Sequence, residues 1–256
     1  MLAVERRACI KETIQEQKSV AVSDLARRFD VTEETIRRDL KVLEAQGVLT
    51  RTYGGAFIQG GAINEVDVTL RETSYVEAKR QIAAQCLQLI RNGDSIFLDS
   101  STTALEIARA IRDMRLTVLT NSLLIADVLS HSESIRLQVI GGVLQPQSMS
   151  FLGEAALAAL APYYVDSAFV SCRSVSLDRG ITDSNEQSAA FRSDAIRRAG
   201  RVYLVADHTK FGQTSFVQIC GFDALAGIVT DQPLSAPWHW MAQKRKLLLL
   251  ENAPEA

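Results

Sequence analysis

Residues 32–46 set two arginines where they could grip nucleic acid. Ile36, Leu40 and Leu43 are spaced four and three apart, which puts an apolar stripe on one face of a helix. At ~100° per residue, Glu34, Arg38 and Lys41 then face the opposite way, flanked by Thr35 and Arg37. A guanidinium can bond guanine O6 and N7, or a phosphate, through two parallel donors. Ser23 and Thr32 are of the type that caps helix starts, and Arg51 stands a few residues past the helix. The candidate DNA contacts are therefore Ser23, Thr32, Thr35, Arg37, Arg38, Lys41 and Arg51.

A second chemistry recurs further along. Asp99-Ser100-Ser101-Thr102-Thr103 follows an apolar run and precedes a helical pattern over 104–112. Asn121 and Ser122 follow the next apolar run, Gly141-Gly142 a third, and Ser148, Ser150 and Gly153 precede another helix. Hydroxyls and backbone N–H groups at helix starts make anion sites. Each such cluster alone is more often a set of helix caps. Lys210, in Asp207-His208-Thr209-Lys210, could neutralise an anion, with Asp207 holding a sugar hydroxyl or positioning the lysine.

The elements that must position these groups fall into two sets. A first helix is expected over 4–17, with Ile10 and Ile14 on one face. A second is expected to open at Ser23 as its N-cap, with Leu25, Ala26 and Phe29 inside; after a turn at Asp30-Val31, a third opens at Thr32 and ends before Gly47. Two short helices joined by a three- or four-residue turn form a helix-turn-helix, whose second helix enters the major groove. The β-prone runs 48–53 and 56–57 around Gly54-Gly55 predict a β-wing, from which Arg51 could reach a phosphate. Glu33, Glu34 and Asp39 nearly cancel the local positive charge, so nonspecific affinity is expected to be modest and salt-dependent.

Residues 58–74 lack periodicity and read as a linker. From 75 to 256 helical stretches alternate with apolar runs at 95–99, 116–120, 137–140, 168–171, 202–206 and 227–230, with a last strand at 246–250. Runs without polar alternation suit parallel strands covered on both faces, which predicts a doubly wound α/β sheet. Such sheets bind ligands outside the carboxyl ends of their strands.

The composition is that of an ordinary globular chain: 256 residues, 47% apolar, 23% charged, net charge −2. No apolar run reaches the ~18 residues of a membrane span, and the first residues carry charges where a signal peptide would be apolar. Cys9, Cys86, Cys172 and Cys220 form no C-x-x-C pair, and His131, His208 and His239 are scattered. Neither a disulfide framework nor a metal site is expected, no cofactor is implied, and a reducing cytoplasm fits.

Residues 22–56 resemble the winged helix-turn-helix signature of the DeoR-type bacterial regulators, chiefly in Thr35-Ile36-Arg37-Arg38-Asp39-Leu40 and Gly54-Gly55-Ala56. Tyr53 stands where that family usually has histidine. Residues 79–231 resemble the same family's sugar-phosphate sensor domain, whose fold is related to ribose-5-phosphate isomerase and glucosamine-phosphate deaminase. The landmarks are Asp99–Thr103, Thr120-Asn121, Gly141-Gly142 with Gly153, Gly180, Glu186, Thr230-Asp231 and, most specifically, 207–212. Two departures are Ser101, where glycine is usual, and Arg173-Ser174, in place of a glycine-rich stretch. The resemblance implies a regulator, expected to be a repressor, that binds an operator duplex as an oligomer and responds to a phosphorylated sugar. The competing readings are a sugar-phosphate isomerase or deaminase using Glu186, Asp207 and Lys210, and a helix-turn-helix used only for protein contacts. No compact acid–base constellation supports the enzyme.

Overall fold

The computed structural model describes residues 1–17, 19–51, 54–58 and 68–252. The chain divides into two compact units, Met1–Val76 and Glu77–Ala256.

The first unit contains helix α1 (Ala3–Gln17), strand β1 (Ser19–Ala21), α2 (Val22–Phe29), α3 (Glu33–Ala45), β2 (Thr50–Arg51), β3 (Gly55–Phe57) and α4 (Val68–Glu72). Its core is Ile10, Ile14, Leu25, Ile36, Leu40, Leu43 and Leu49, so the periodic apolar positions are the buried ones. Thr32 caps α3 as its type predicts, accepting from the Thr35 amide. Ser23 does not cap α2. That helix begins at Val22, and Ala21, its N-cap, makes no side-chain cap. The reason is β1, a strand that the pattern did not disclose: it runs straight into α2, and the Val22 amide donates to the Gly54 carbonyl at 2.8 Å. The wing is a three-stranded antiparallel sheet in the order β1-β3-β2. Gly55 is required by close approach, since a Cβ there would stand 2.1 Å from the Val20 carbonyl oxygen.

Asp39 does not add to the exposed acidic charge. It is buried and accepts from Arg6 Nε at 2.6 Å, tying α1 to α3. Part of the stretch read as a linker is ordered as α4, because Leu70 buries against Phe57 and the partly buried Tyr75. Tyr53 and residues 59–67 of the expected linker lie outside the described residues.

The second unit is entered through α5 (Val76–Cys86). Then follow β4 (Ser95–Leu98), α6 (Thr102–Ala110), β5 (Leu116–Thr120), α7 (Leu123–Leu129), β6 (Ile135–Val139), the hairpin β7 (Val143–Gln145) and β8 (Ser150–Leu152), and α8 (Glu154–Leu160). The chain continues with β9 (Val165–Val170), β10 (Ser174–Ser176), β11 (Gly180–Asp183), α9 (Glu186–Arg197), β12 (Ala199–Val205), β13 (Val217–Cys220), β14 (Gly227–Val229), α10 (Ala236–Arg245) and β15 (Leu248–Leu250). Among the described residues, a seven-stranded sheet has the order β15-β14-β12-β9-β4-β5-β6, every neighbouring pair parallel. Every apolar run expected as a strand lies in it. Apolar side chains of α5, α6 and α7 cover one face, and those of α8, α9 and α10 the other, which is the doubly wound arrangement. The short strands β7, β8, β10, β11 and β13 form two small antiparallel sheets that no apolar run signalled.

The chain starts in the middle of this sheet, builds outward from β4 to β6, then returns beside β4 with β9 and builds the other way. The order therefore reverses between β4 and β9, and the crevice at the carboxyl ends of those strands is where such a sheet receives ligands.

Candidate functional site

In the first unit, Glu34, Arg38 and Lys41 are exposed along the outer face of α3. Arg37 Nη2 lies 2.7 Å from Glu33 Oε2 and Arg38 Nε 3.4 Å from Glu34 Oε1, both one helical turn apart. Exposed pairs of this kind are worth about 0–1 kcal/mol, so either guanidinium can exchange its carboxylate for a base or phosphate at little cost. The Thr32 and Thr35 hydroxyls are 3.0 Å apart at the helix start, and Ser23 is exposed in the first turn of α2. Arg51 differs: its amide donates to Glu44 Oε1 at 2.9 Å and its Nε to Oε2 at 2.6 Å. Burial raises the Glu44 carboxyl pKa, but the Arg51 bonds outweigh it and hold the group below its ordinary value. One carboxylate thus fastens β2 to the last turn of α3. Sequence spacing did not disclose this bond.

In the second unit, the residues that follow β4, β5 and β9, namely Asp99, Asn121 and Ser171, are polar and buried. Asp99 follows β4. Its Oδ1 accepts from the Ser101 amide (3.0 Å), and its Oδ2 from the Ser171 amide (2.9 Å) and Arg192 Nε (2.7 Å). Nη1 of Arg192 donates to Asp183 Oδ2, whose Oδ1 takes the Ser184 and Asn185 amides. Burial lowers the Arg192 pKa, but Asp183 and Asp99 outweigh that and raise it above its already high ordinary value. Arg192 thus ties the residue after β4 to the end of β11.

Beside it, Asp207 follows β12. Burial pushes its carboxyl pKa up, while Lys210, both donors of Thr209 and Lys79 pull harder and leave it below the ordinary carboxylate range. Cys172, buried just past β9, feels Lys210, Asp183, Arg192 and Asp207 together, and burial pushes its thiol well above the ordinary range. Arg173 is half-buried, and desolvation lowers its pKa against the pull of Asp183 and Asp207. Arg173, Asp183, Arg192, Asp207 and Lys210 are thus all within electrostatic reach of Cys172. Next along, Asn121 follows β5. Its Nδ2 donates to the Phe151 carbonyl at 3.0 Å, while its Oδ1 is buried without a hydrogen-bond partner among the described residues. Buried polar atoms are rarely left so, and a ligand hydroxyl would satisfy this one.

Several expected contacts are spent on local structure. Ser101 Oγ accepts from the Ala104 amide and caps α6, and Ser122 Oγ caps α7 through Ile125. Ser100, Thr102 and Thr103 are buried around the start of α6. Ser150 Oγ is 2.8 Å from Ser148 Oγ. Gly142 has no room for a Cβ, which would lie 2.7 Å from the Leu152 carbonyl oxygen. Gly153 has a φ of 95°, so both glycines shape the chain around the hairpin. Gly141 is exposed, and so is Glu186, the first residue of α9. Arg192, Asp183, Arg173 and Lys79 were not singled out as site residues from the sequence. Arg192 left one signal: it stands on the apolar stripe Ala189, Ala195, Ile196 of α9, where a charge needs a buried partner.

Among the described residues, no helix is long and apolar enough to cross a membrane. A family model described as the DeoR-like helix-turn-helix domain matches residues 6–59, and one described as the DeoR C terminal sensor domain matches 74–232. An uncharacterized HTH-type transcriptional regulator of Bacillus subtilis, YulB, is 38% identical over 91% of each chain. A putative aga operon transcriptional repressor of Escherichia coli O157:H7 is 34% identical over 91% of this chain and 87% of its own. The glycerol-3-phosphate regulon repressor of E. coli K12 is 28% identical over 91% and 92%. Among solved structures, ribose 5-phosphate isomerase A of Methanocaldococcus jannaschii matches 54% of this chain and 55% of its own at 16% identity and a TM-score of 0.41, too loose a likeness to carry an argument.

Proposed function

This chain belongs to the DeoR family of helix-turn-helix transcriptional regulators, and from that premise we propose that it represses a carbohydrate-catabolic operon until a phosphorylated sugar binds its second unit. It acts in the cytoplasm, as an oligomer that reads paired half-sites on duplex DNA. Thr35, Arg37, Arg38 and Lys41 of α3 meet the major groove, and Ser23, Thr32 and the wing at Arg51 meet the backbone.

The observation that carries the effector reading is the gathering of Arg173, Asp207 and Lys210 beside the β4–β9 crevice, with the unpaired Asn121 Oδ1 following the adjacent strand β5. Lys210, Arg173 and the amides at the start of α6 take the phosphoryl group. Asn121 Oδ1 and Asp207 accept sugar hydroxyls. Two relatives whose names describe repressors, of the aga operon and of the glycerol-3-phosphate regulon, support a carbohydrate-linked target. The sugar acts through its different affinities for the DNA-competent and DNA-incompetent states; a swing from 1:99 to 99:1 requires about 5.5 kcal/mol of difference.

The test is selection of duplexes from a random pool by the full chain, footprinting at moderate salt, and titration with a panel of sugar phosphates. A protected paired site that is released by one phosphorylated sugar, and not by its unphosphorylated form, is expected. Lys210→Ala should keep the site and lose the response. No selected duplex, or a site indifferent to every sugar phosphate, would sink the reading.

A further inference from the structure

The seven-stranded sheet ends in two strands of different character. At one end, β6 reads Ile135-Arg136-Leu137-Gln138-Val139, and its Arg136 is exposed. A charge on an edge strand keeps other strands from adding to it. At the other end, β15 is Leu248-Leu249-Leu250, with Leu247 before it. Leu248 is 41% exposed, and Leu249 and Leu250 are half-buried. Among the described residues no strand lies beyond β15.

The hydrogen bonds to β14 decide what that open edge offers. The Leu248 amide donates to the Ala226 carbonyl at 3.0 Å, and the Leu250 carbonyl accepts from the Thr230 amide at 2.9 Å. The two strands are parallel, with Leu248 beside Gly227 and Leu250 beside Val229. In such a pair, alternate residues turn both backbone groups to the same neighbour. Leu248 and Leu250 therefore face β14, and Leu249 turns its N–H and its C=O outward. A residue with both groups outward is self-complementary about a twofold axis: two copies of Leu249 set antiparallel exchange a pair of N–H···O bonds. In that register Leu248 of one copy lies opposite Leu250 of the other, so the exposed leucine meets an apolar side chain. The ends of the strand match as well. Lys246 is exposed before it, and Glu251 follows it, with its carboxylate fixed by the Leu234 amide at 2.8 Å and by His239 Nε2 at 2.9 Å. Antiparallel pairing brings the cation of one copy towards the carboxylate of the other.

We propose that the outer edge of β15 is the surface through which two copies of this chain pair, joining their sheets across a twofold axis at Leu249. This rests on the reading that the protein acts as an oligomer. A stable pair buries about 1,600 Å², more than a three-residue strand supplies. The contact therefore spreads onto α10, the helix that leads into β15 and whose Ala242 carbonyl accepts the Leu247 amide at 2.9 Å. That helix presents Trp240, 63% exposed, with Lys244 Nζ 4.8 Å from its ring centroid. Aromatic residues of this kind are enriched where proteins meet.

The experiment follows the assembly of the full chain by sedimentation velocity over a concentration series, and its cross-linking under mild oxidation. Leu248→Lys, at an exposed position, is expected to raise the dissociation constant of the pair at least about tenfold while melting near the wild-type temperature. Leu249→Pro should do the same, because it deletes a donor that β14 does not use, and proline is tolerated on an edge strand when the lost N–H would face outward. Leu249→Cys should cross-link two copies above the level of the wild type and its four cysteines. Residues directly opposite in an antiparallel hydrogen-bonded pair lie about 5.5 Å apart at Cα, within disulfide reach. Leu248→Cys, which faces Leu250 of the other copy, should stay at the wild-type level. Wild-type assembly in Leu248→Lys overturns the interface, as does a Leu249→Cys that cross-links no better than Leu248→Cys. If Leu249→Pro does not fold, those two results decide without it. A wild type that stays monomeric at every concentration removes the oligomer reading itself, an outcome separate from a failure at β15.

Discussion

Arg192→Leu should be the most damaging single substitution in the sensor unit. The side chains of Arg192, Asp99 and Asp183 are only 10%, 1% and 11% exposed. Removing the guanidinium leaves two carboxylates out of water with no counter-charge, a situation that costs about 3–5 kcal/mol. For a unit of this size each kcal/mol lowers the melting temperature by about 2–4 °C, so a drop of roughly 6–20 °C is expected. Scanning calorimetry of the full chain, following the transition of the C-terminal unit, measures it. The damage should come from the stranded charges rather than from lost packing. Adding Asp99→Asn and Asp183→Asn to Arg192→Leu should therefore restore a good part of the loss. Arg192→Lys should rescue poorly, since an ammonium lacks the planar fork that serves two carboxylates at once. A drop below about 2 °C in Arg192→Leu, or a triple variant less stable than the single one, would refute the reasoning.

Arg38→Ala should weaken operator binding by about 1–3 kcal/mol, measured by fluorescence anisotropy, with sugar-phosphate affinity unchanged. A parallel loss of effector affinity would contradict the assignment of Arg38 to DNA alone. Glu44→Ala frees Arg51 from α3. Because that pair is about one-third exposed, stability should fall by no more than about 1 kcal/mol, while hydroxyl-radical footprinting loses the wing's protection and keeps that of α3. Asp207 has a folded pKa below its unfolded one. The stability it contributes is therefore full above the unfolded carboxylate value and is lost as pH falls through the folded one. Urea midpoints of wild type and Asp207→Asn should differ at pH 6 and converge as the solution is made more acid; a difference that stays constant would remove the ionised carboxylate from the account.

The helix-turn-helix half was largely legible because its signals are local. Ile36, Leu40 and Leu43 repeat within one helix, Thr32 caps the same helix, and the outward place of Arg38 follows from geometry inside fifteen residues. The apolar runs of the second unit were legible as parallel strands for the same reason: burial on both faces leaves an uninterrupted apolar run. Where a signal was weak or shared, the reading slipped. Ser23 has the chemistry of a cap, but β1 takes its place by running straight into α2 and bonding to Gly54. Ser101 and Ser122 suit an anion site equally well and are spent as caps.

The sequence by itself determined the helix whose polar face carries Arg38 and Lys41, and a parallel sheet whose strand ends carry hydroxyls and carboxylates. Only the tertiary structure decided that β9 returns beside β4, which brings Ser171 to Asp99. It also decided that Arg192, 93 residues along the chain from Asp99, bonds that carboxylate, that Asp39 turns inward to Arg6, and that Lys79 is buried on α5. Periodicity and capping are written within a turn or two of the chain. Charge pairing is decided by which strands lie side by side, and a buried arginine's partners become known only once the sheet order is.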